Sequence, residues 1–170
     1  MSVFTLPQMP AAQQPAEDMK ELAARVRALF SIRTNETSRM PLGGTMFDVV
    51  VTAGGYLGRA AVVHMDQIQL GTCGPVIEDP DGEWLYWLVP PGTASSWDHH
   101  PYGVCVGSPH TLSMPVLGQS GPPGPYWLRP CASDRLVPPG PLRALLYRMR
   151  LEPAPHEGLQ AHLGRREALV

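Results

Sequence analysis

Residues 84–89 read Trp84-Leu85-Tyr86-Trp87-Leu88-Val89, and both alternating sets, Trp84/Tyr86/Leu88 and Leu85/Trp87/Val89, are apolar. Successive side chains of a strand point to opposite faces, so a run that is apolar on both needs cover on both. The stretch therefore reads as a central strand with helices packed on at least one side of its sheet. Just upstream, Pro75-Val76-Ile77-Glu78 is a second extended run. Between the two, Asp79-Pro80-Asp81-Gly82 has the chemistry of a hairpin turn. Downstream, Pro90-Pro91-Gly92 ends the strand, since proline brings no N–H to a ladder.

Working outward, Phe47-Asp48-Val49-Val50-Val51-Thr52 is rich in β-branched residues and follows a turn at Pro41-Leu42-Gly43-Gly44. Gly54-Gly55 ends it, and Leu57, Ala60, Ala61 and His64 then share one face of a short helix. Three short extended pieces follow, at 103–107, 110–117 and, after a Gly/Pro segment, 126–129. Met19, Leu22, Ala23, Val26, Leu29 and Phe30 recur at helical spacing, which predicts an amphipathic helix over 17–31 with Glu17 and Asp18 at its favourable end. Leu142, Leu145, Leu146 and Met149 predict another, starting near Gly140-Pro141 and stopped by Pro153 and Pro155. A further short helix of weak amphipathicity falls over 156–166. The pattern is α+β: a single domain over 16–152 with a central, largely antiparallel or mixed sheet flanked by helices. A flexible Pro/Gln-rich tail (1–15) precedes it and an extension (153–170) follows.

A chain of 170 residues buries roughly 70% of its unfolded surface on folding, enough for one core. With 44% hydrophobic and 16% charged residues it is globular, and 20 Pro with 17 Gly make much of it loop. A formal charge of -2 supplies no global attraction for a phosphate backbone. Cys73, Cys105 and Cys131 are odd in number and widely spaced, which suits three buried free thiols in a reducing compartment rather than a disulfide scaffold or a zinc ribbon. Neither a signal peptide nor a run of membrane-spanning length is present, so the expected location is cytoplasmic, with no membrane partner.

Few residues carry chemistry. Asp98-His99-His100 has metal-ligating side chains but no companion motif, so no metal is assigned to it and the alternative is a solvated loop. Walker-type phosphate loops and nucleophile elbows are absent from the sequence. Arg143, Arg148 and Arg150, with Tyr147, stand off the apolar stripe of the last helix, where they could meet nucleic-acid phosphates or form an ordinary solvated face. Trp97 and Tyr102 lie in the Pro-rich loop after the central strand and would form an aromatic surface for a protein partner.

One set of stretches carries a resemblance: FDVV at 47–50, GRAA at 58–61, GPVI at 74–77, LYWLVPPGT at 85–93, HTLSMP at 110–115 and YWLRP at 126–130. In order and spacing, across 17–150, they resemble the actinobacterial (Streptomyces-type) proteins described as bifunctional DNA primase/polymerase-like. The resemblance implies an archaeo-eukaryotic primase fold. It also implies a site with an Asp-x-Asp pair, a Ser-x-His on a neighbouring strand and a later acidic residue. Paired carboxylates hold two divalent ions that align a 3′-hydroxyl with an α-phosphate, and the histidine meets the nucleotide phosphates. Here Asp48 matches the first acid, but Val50 stands at the second. Ser108-Pro109-His110 has the Ser-x-His form, and Asp134 is the only acid late enough to be the third. Similar chains often carry a Cys-rich region before the matched part, so a shortened, repurposed member is expected.

Three functions follow as expectations. The first is a non-catalytic domain that binds a nucleotide or nucleic acid through Ser108, His110 and Asp48, without a cofactor. The second is a protein-interaction or regulatory module that kept the fold and lost the ligand. The third, which Val50 argues against, is an active primase or polymerase, and only that one would need Mg²⁺ or Mn²⁺.

Overall fold

In the computed structural model, which describes residues 14–32, 38–81, 83–131, 135–154 and 164–165, the 84–89 stretch is strand β4 (Trp84–Val89), at the centre of a five-stranded antiparallel sheet. Across the sheet the order is β5 (Val104–Val106), β2 (Asp48–Ala53), β4, β3 (Val76–Asp79), β7 (Tyr126–Arg129). The expected hairpin is present: β3 pairs with β4 from Val76↔Trp87 to Asp79↔Trp84. Glu83, at the end of its turn, takes a left-handed backbone with φ 57°.

The two faces of β4 feed two separate cores, as its doubly apolar pattern requires. Tyr86 and Leu88, with Val49 and Val51 of β2, face helix α1 (Gln14–Ile32) through Val26. The same core takes Met40, Leu112 and Met114 from a second sheet. Leu85, Trp87 and Val89, with Val50, face helices α2 (Gly55–Ile68) and α4 (Pro139–Met149) through Ala61, Val62, Met65, Leu142, Leu145 and Leu146. Trp87 is fully buried, and its indole N–H donates to the Thr52 hydroxyl at 2.9 Å, so the large ring is buried without stranding its polar atom. The chain is thus α+β, a single domain with antiparallel sheets flanked by helices. Among the described residues no helix is long and apolar enough to cross a membrane.

Several local readings are corrected. The short extended pieces do not all join one sheet: β6 (His110–Met114) leaves it to form a three-stranded sheet with β1 (Ser38–Pro41) and β8 (Gly164–Arg165). Where a helix was expected over 156–166, residues 155–163 lie outside the described residues. Residues 164–165 are extended instead, because the free edge of β6 offers ladder partners at His110 and Thr111. The 1–15 tail is likewise outside the described residues up to 13, and α1 begins at Gln14.

Helix α2 presents a different face from the one expected. Its buried residues are Gly58, Ala61, Val62 and Met65, whereas Leu57 and His64 are exposed. Small side chains take the inner face because the helix runs very close to the sheet. A Cβ on Gly58 would lie 2.6 Å from the Ala53 carbonyl oxygen and 3.0 Å from Leu85 Cδ1.

Two side-chain networks tie α2 to the far edge of the sheet. Arg129 of β7 donates to both carboxylate oxygens of Asp66, at 2.9 Å through Nε and 2.6 Å through one terminal nitrogen, while the Cys73 amide donates to Asp66 at 2.7 Å. Glu78, itself buried, accepts from Arg59 at 3.0 Å and from the Tyr126 hydroxyl.

Candidate functional site

Antiparallel pairing brings the start of β2 beside the ends of β4 and β5, with Asp48 opposite Val89 and Val49 opposite Val106. Three loops therefore converge on Asp48: the turn before β2, the Pro-rich segment after β4 and the Gly107–Ser108 corner after β5. Together they line a cavity of about 450 Å³ formed by Gly43, Gly44, Asp48, Gly92, Ala94, Ser95, Gly107 and Ser108.

Each loop has a local reason for its shape. The turn closes when the Gly43 amide donates to the Phe47 carbonyl at 2.7 Å, and Gly43 adopts φ 80°. After Pro90-Pro91 stops β4, Gly92 turns the chain at φ 88° into the single-turn helix α3 (Thr93–Ser96), which the sequence reading did not anticipate. The third wall needs glycine for space: a Cβ at Gly107 would stand 2.8 Å from Asp48 Oδ1.

Asp48 is the chemical centre of this arrangement. It is 2% exposed, and its Oδ2 accepts from the Ala94 amide at 2.9 Å, whereas Oδ1 has no hydrogen-bond partner among the described residues. Burial pushes its carboxyl above the ordinary carboxylate range, against the pull of the Ala94 and Gly92 amides. An unsatisfied buried acceptor costs roughly 1–3 kcal/mol, more when charged. None of the described lining residues is cationic.

The structure thus brings two of the expected nucleotide-site residues, Asp48 and Ser108, onto one cavity. His110 opens β6 instead. Its Nδ1 lies 3.2 Å from the Gly107 carbonyl, and it is not among the lining residues. Asp134 lies outside the described residues. Val50, at the position of the second acid, is completely buried in the α2/α4 core. Gly43, Gly44, Gly92 and Gly107 punctuate all three loops; in the sequence they read only as turns and strand ends, not as the walls of one cavity.

The remaining candidates gather elsewhere, and they engage one another. His100 is fully buried. Its Nδ1 accepts from the Tyr102 amide at 3.0 Å, which leaves Nε2–H to donate to the Arg143 carbonyl at 3.2 Å. Burial lowers its pKa, consistent with that neutral tautomer. Both ring nitrogens are engaged, and no group of three His, Cys, Asp or Glu able to hold a metal occurs among the described residues, Asp98 and His99 included.

Arg143 donates to the carbonyls of Asp98 at 2.9 Å and His99 at 3.3 Å, and its guanidinium lies over the Trp97 ring at 4.9 Å. Half-exposed, it fastens the 97–103 loop to α4 at the surface. Trp97 and Tyr102 are half-buried, and the Trp97 indole donates to the Gly103 carbonyl at 3.1 Å. Arg148 and Arg150 are exposed.

A second cavity, about 580 Å³, opens at the opposite end of β2 and β4 beside Gly54, Gly55, Tyr56, Glu83 and Glu152. Its carboxylates are exposed and solvated, so it has no counterpart to the buried acceptor of Asp48. Comparisons of the chain with protein-family models, with curated proteins and with solved structures return no match.

Proposed function

We propose that the chain is a non-catalytic domain of the primase/polymerase-like kind that binds a nucleotide, or the end of a nucleic acid, in the Asp48 cavity. One observation carries the reading: Asp48 and Ser108, distant in sequence, line one cavity whose buried carboxylate has an oxygen without a partner. A buried acceptor held at such a cost is a feature of binding sites more than of packing.

The residues present do not fit the two-ion site of an active member. That site needs a second carboxylate beside the first, and the same-face neighbour of Asp48 along β2 is Val50, sealed in the α2/α4 core. Among the described lining residues Asp48 is the only carboxylate. The protein-interaction alternative rested on Trp97 and Tyr102, which are half-buried; the Trp97 indole and the Tyr102 main-chain amide are engaged within the loop. Arg148 and Arg150, exposed on α4, do not line this cavity and would meet only the outlying phosphates of a longer nucleic acid, with salt-dependent affinity. The same proposal keeps the protein in the cytoplasm. In support, Cys73, Cys105 and Cys131 are free thiols.

Calorimetric titration of the full chain with ribo- and deoxynucleoside triphosphates, with and without Mn²⁺, tests the reading. Saturable binding that weakens in Ser108→Ala supports it. His110→Ala should matter less, because that imidazole turns to the Gly107 carbonyl. Absence of binding to every nucleotide, with and without metal, rejects the proposal.

A further inference from the structure

We infer that the Asp48 cavity takes the nucleobase edge rather than the phosphates, and selects bases that carry an exocyclic amino group. The inference rests on the nucleotide-binding reading above and assigns the part of the ligand that enters.

The polarity of the cavity floor gives the reason. A buried carboxylate repels a phosphate, and no lysine, arginine or histidine among the described lining residues offsets that repulsion. Beside the Ser95 and Ser108 hydroxyls, which can donate or accept, the floor's one charged group is the Asp48 carboxylate. Oδ2 is engaged by the Ala94 amide, and Oδ1 is bare. The complement of a bare buried carboxylate oxygen is an N–H donor, and carboxylates accept in this way from amino groups on base edges. A base carrying a carbonyl at the same place sets oxygen against oxygen.

The walls suit a flat group. Gly43, Gly44, Gly92 and Gly107 present backbone and no side chain, and a methyl at Gly107 would intrude to 2.8 Å from Oδ1. Oδ1 is shielded from water beneath these residues, so contact with a base requires a small outward shift of the Gly43 turn or the Gly107 corner. Arg25 of α1 is exposed and donates to the Thr45 carbonyl at 2.8 Å, next to Gly44 of the lining. A nucleotide seated base-first would leave its phosphates on that outer side.

Two isosteric pairs test this on the unaltered protein, CTP against UTP and ATP against ITP, each pair differing by an amino group in place of a carbonyl oxygen. The expected result is a preference for the amino member on the order of tenfold, the scale of one buried acceptor left without a donor. Asp48→Asn should then invert the preference. The Ala94 amide requires an oxygen at the Oδ2 position, so the amide NH₂ must take the place of Oδ1 and present a donor where the acceptor stood.

Equal affinity within both pairs, or a preference for UTP and ITP in the wild type, overturns the inference and leaves nucleotide binding intact. Loss of binding to all four compounds removes the broader reading with it. The wild-type comparison decides the matter without any substitution. A folded Asp48→Asn that keeps the amino preference also overturns the inference.

Discussion

Replacing Asp48 by Asn should stabilise the fold. The buried Asp48 carboxylate has one oxygen held by the Ala94 amide and one with no partner, so the native state bears a desolvated charge that the Ala94 and Gly92 amides compensate only in part. Asparagine keeps the shape and the Ala94 bond and removes the charge, but it leaves an unpaired N–H in place of the unpaired oxygen. Each unpaired buried group costs roughly 1–3 kcal/mol, with the charged one at the upper end. The difference comes to about 1 kcal/mol in favour of the Asp48→Asn variant, or about 2–4 °C in Tm for a chain of this size.

The pH dependence identifies the cause. Because burial raises the Asp48 pKa, the native state holds a proton that the unfolded chain, near 3.8, has already released. Wild-type stability therefore falls as pH rises from the unfolded value through the folded one, while Asp48→Asn lacks this loss. Urea denaturation of both proteins from pH 4 to pH 8 should give a gap that is smallest at pH 4 and widens to a plateau. A variant less stable than wild type at pH 8, or a gap that does not change with pH, would refute the argument that Asp48 is held at a cost to the fold.

The Asp66 cluster should behave in the opposite sense. Burial alone would raise the Asp66 pKa, but Arg129 and the Cys73 amide outweigh it and hold the carboxyl below its ordinary value. Asp66→Ala should therefore cost about 3 kcal/mol at pH 7, through the lost ion pair and the stranded Cys73 amide. That cost should shrink as pH drops below the unfolded value and through the folded one, as followed by urea midpoints at pH 7 and pH 3. In helix α2, Gly58→Ala should cost about 2 kcal/mol, because the methyl meets the rigid Ala53 carbonyl; a Tm within about 1–2 °C of wild type would contradict so close an approach. Arg143→Ala should destabilise by about 1–2 kcal/mol and speed amide exchange across 97–103, whereas Arg148→Ala should stay within about 0.5 kcal/mol. Equal effects would mean that Arg143 is not the fastening of that loop.

What could be read in advance depended on whether the cause was local. The doubly apolar 84–89 run placed β4 in the sheet centre, and the Leu142/Leu145/Leu146 spacing placed α4, because burial writes its periodicity directly into each segment. Strand β1 left no such mark. Ser38-Arg39-Met40-Pro41 has no β-branched residue, and it is a strand because β6 lies beside it. The same holds for the inner face of α2, where contact distance selected Gly58 and Ala61 over the bulkier Leu57. At the site, Asp48 and Ser108 were recognisable as candidates, but their meeting depends on β2–β4–β5 pairing. The orphaned oxygen is a property of three loops together. Arg143 does stand off the apolar stripe of α4, but its bonds to the 98–99 carbonyls could not be read, because main-chain partners have no sequence signature.

The five-stranded sheet ends in two stubs. β5 has three residues and lies between Gly103 and Gly107; β7 has four and lies between Pro125 and Pro130. An extended strand from another molecule would gain only a few ladder bonds at either margin before a glycine bend or a missing proline N–H interrupted it. The long, greasy β4, which on a margin would be the most adhesive segment of the chain, has neighbours on both sides. The topology that gathers three loops around Asp48 also keeps the sheet from growing by edge-to-edge self-association.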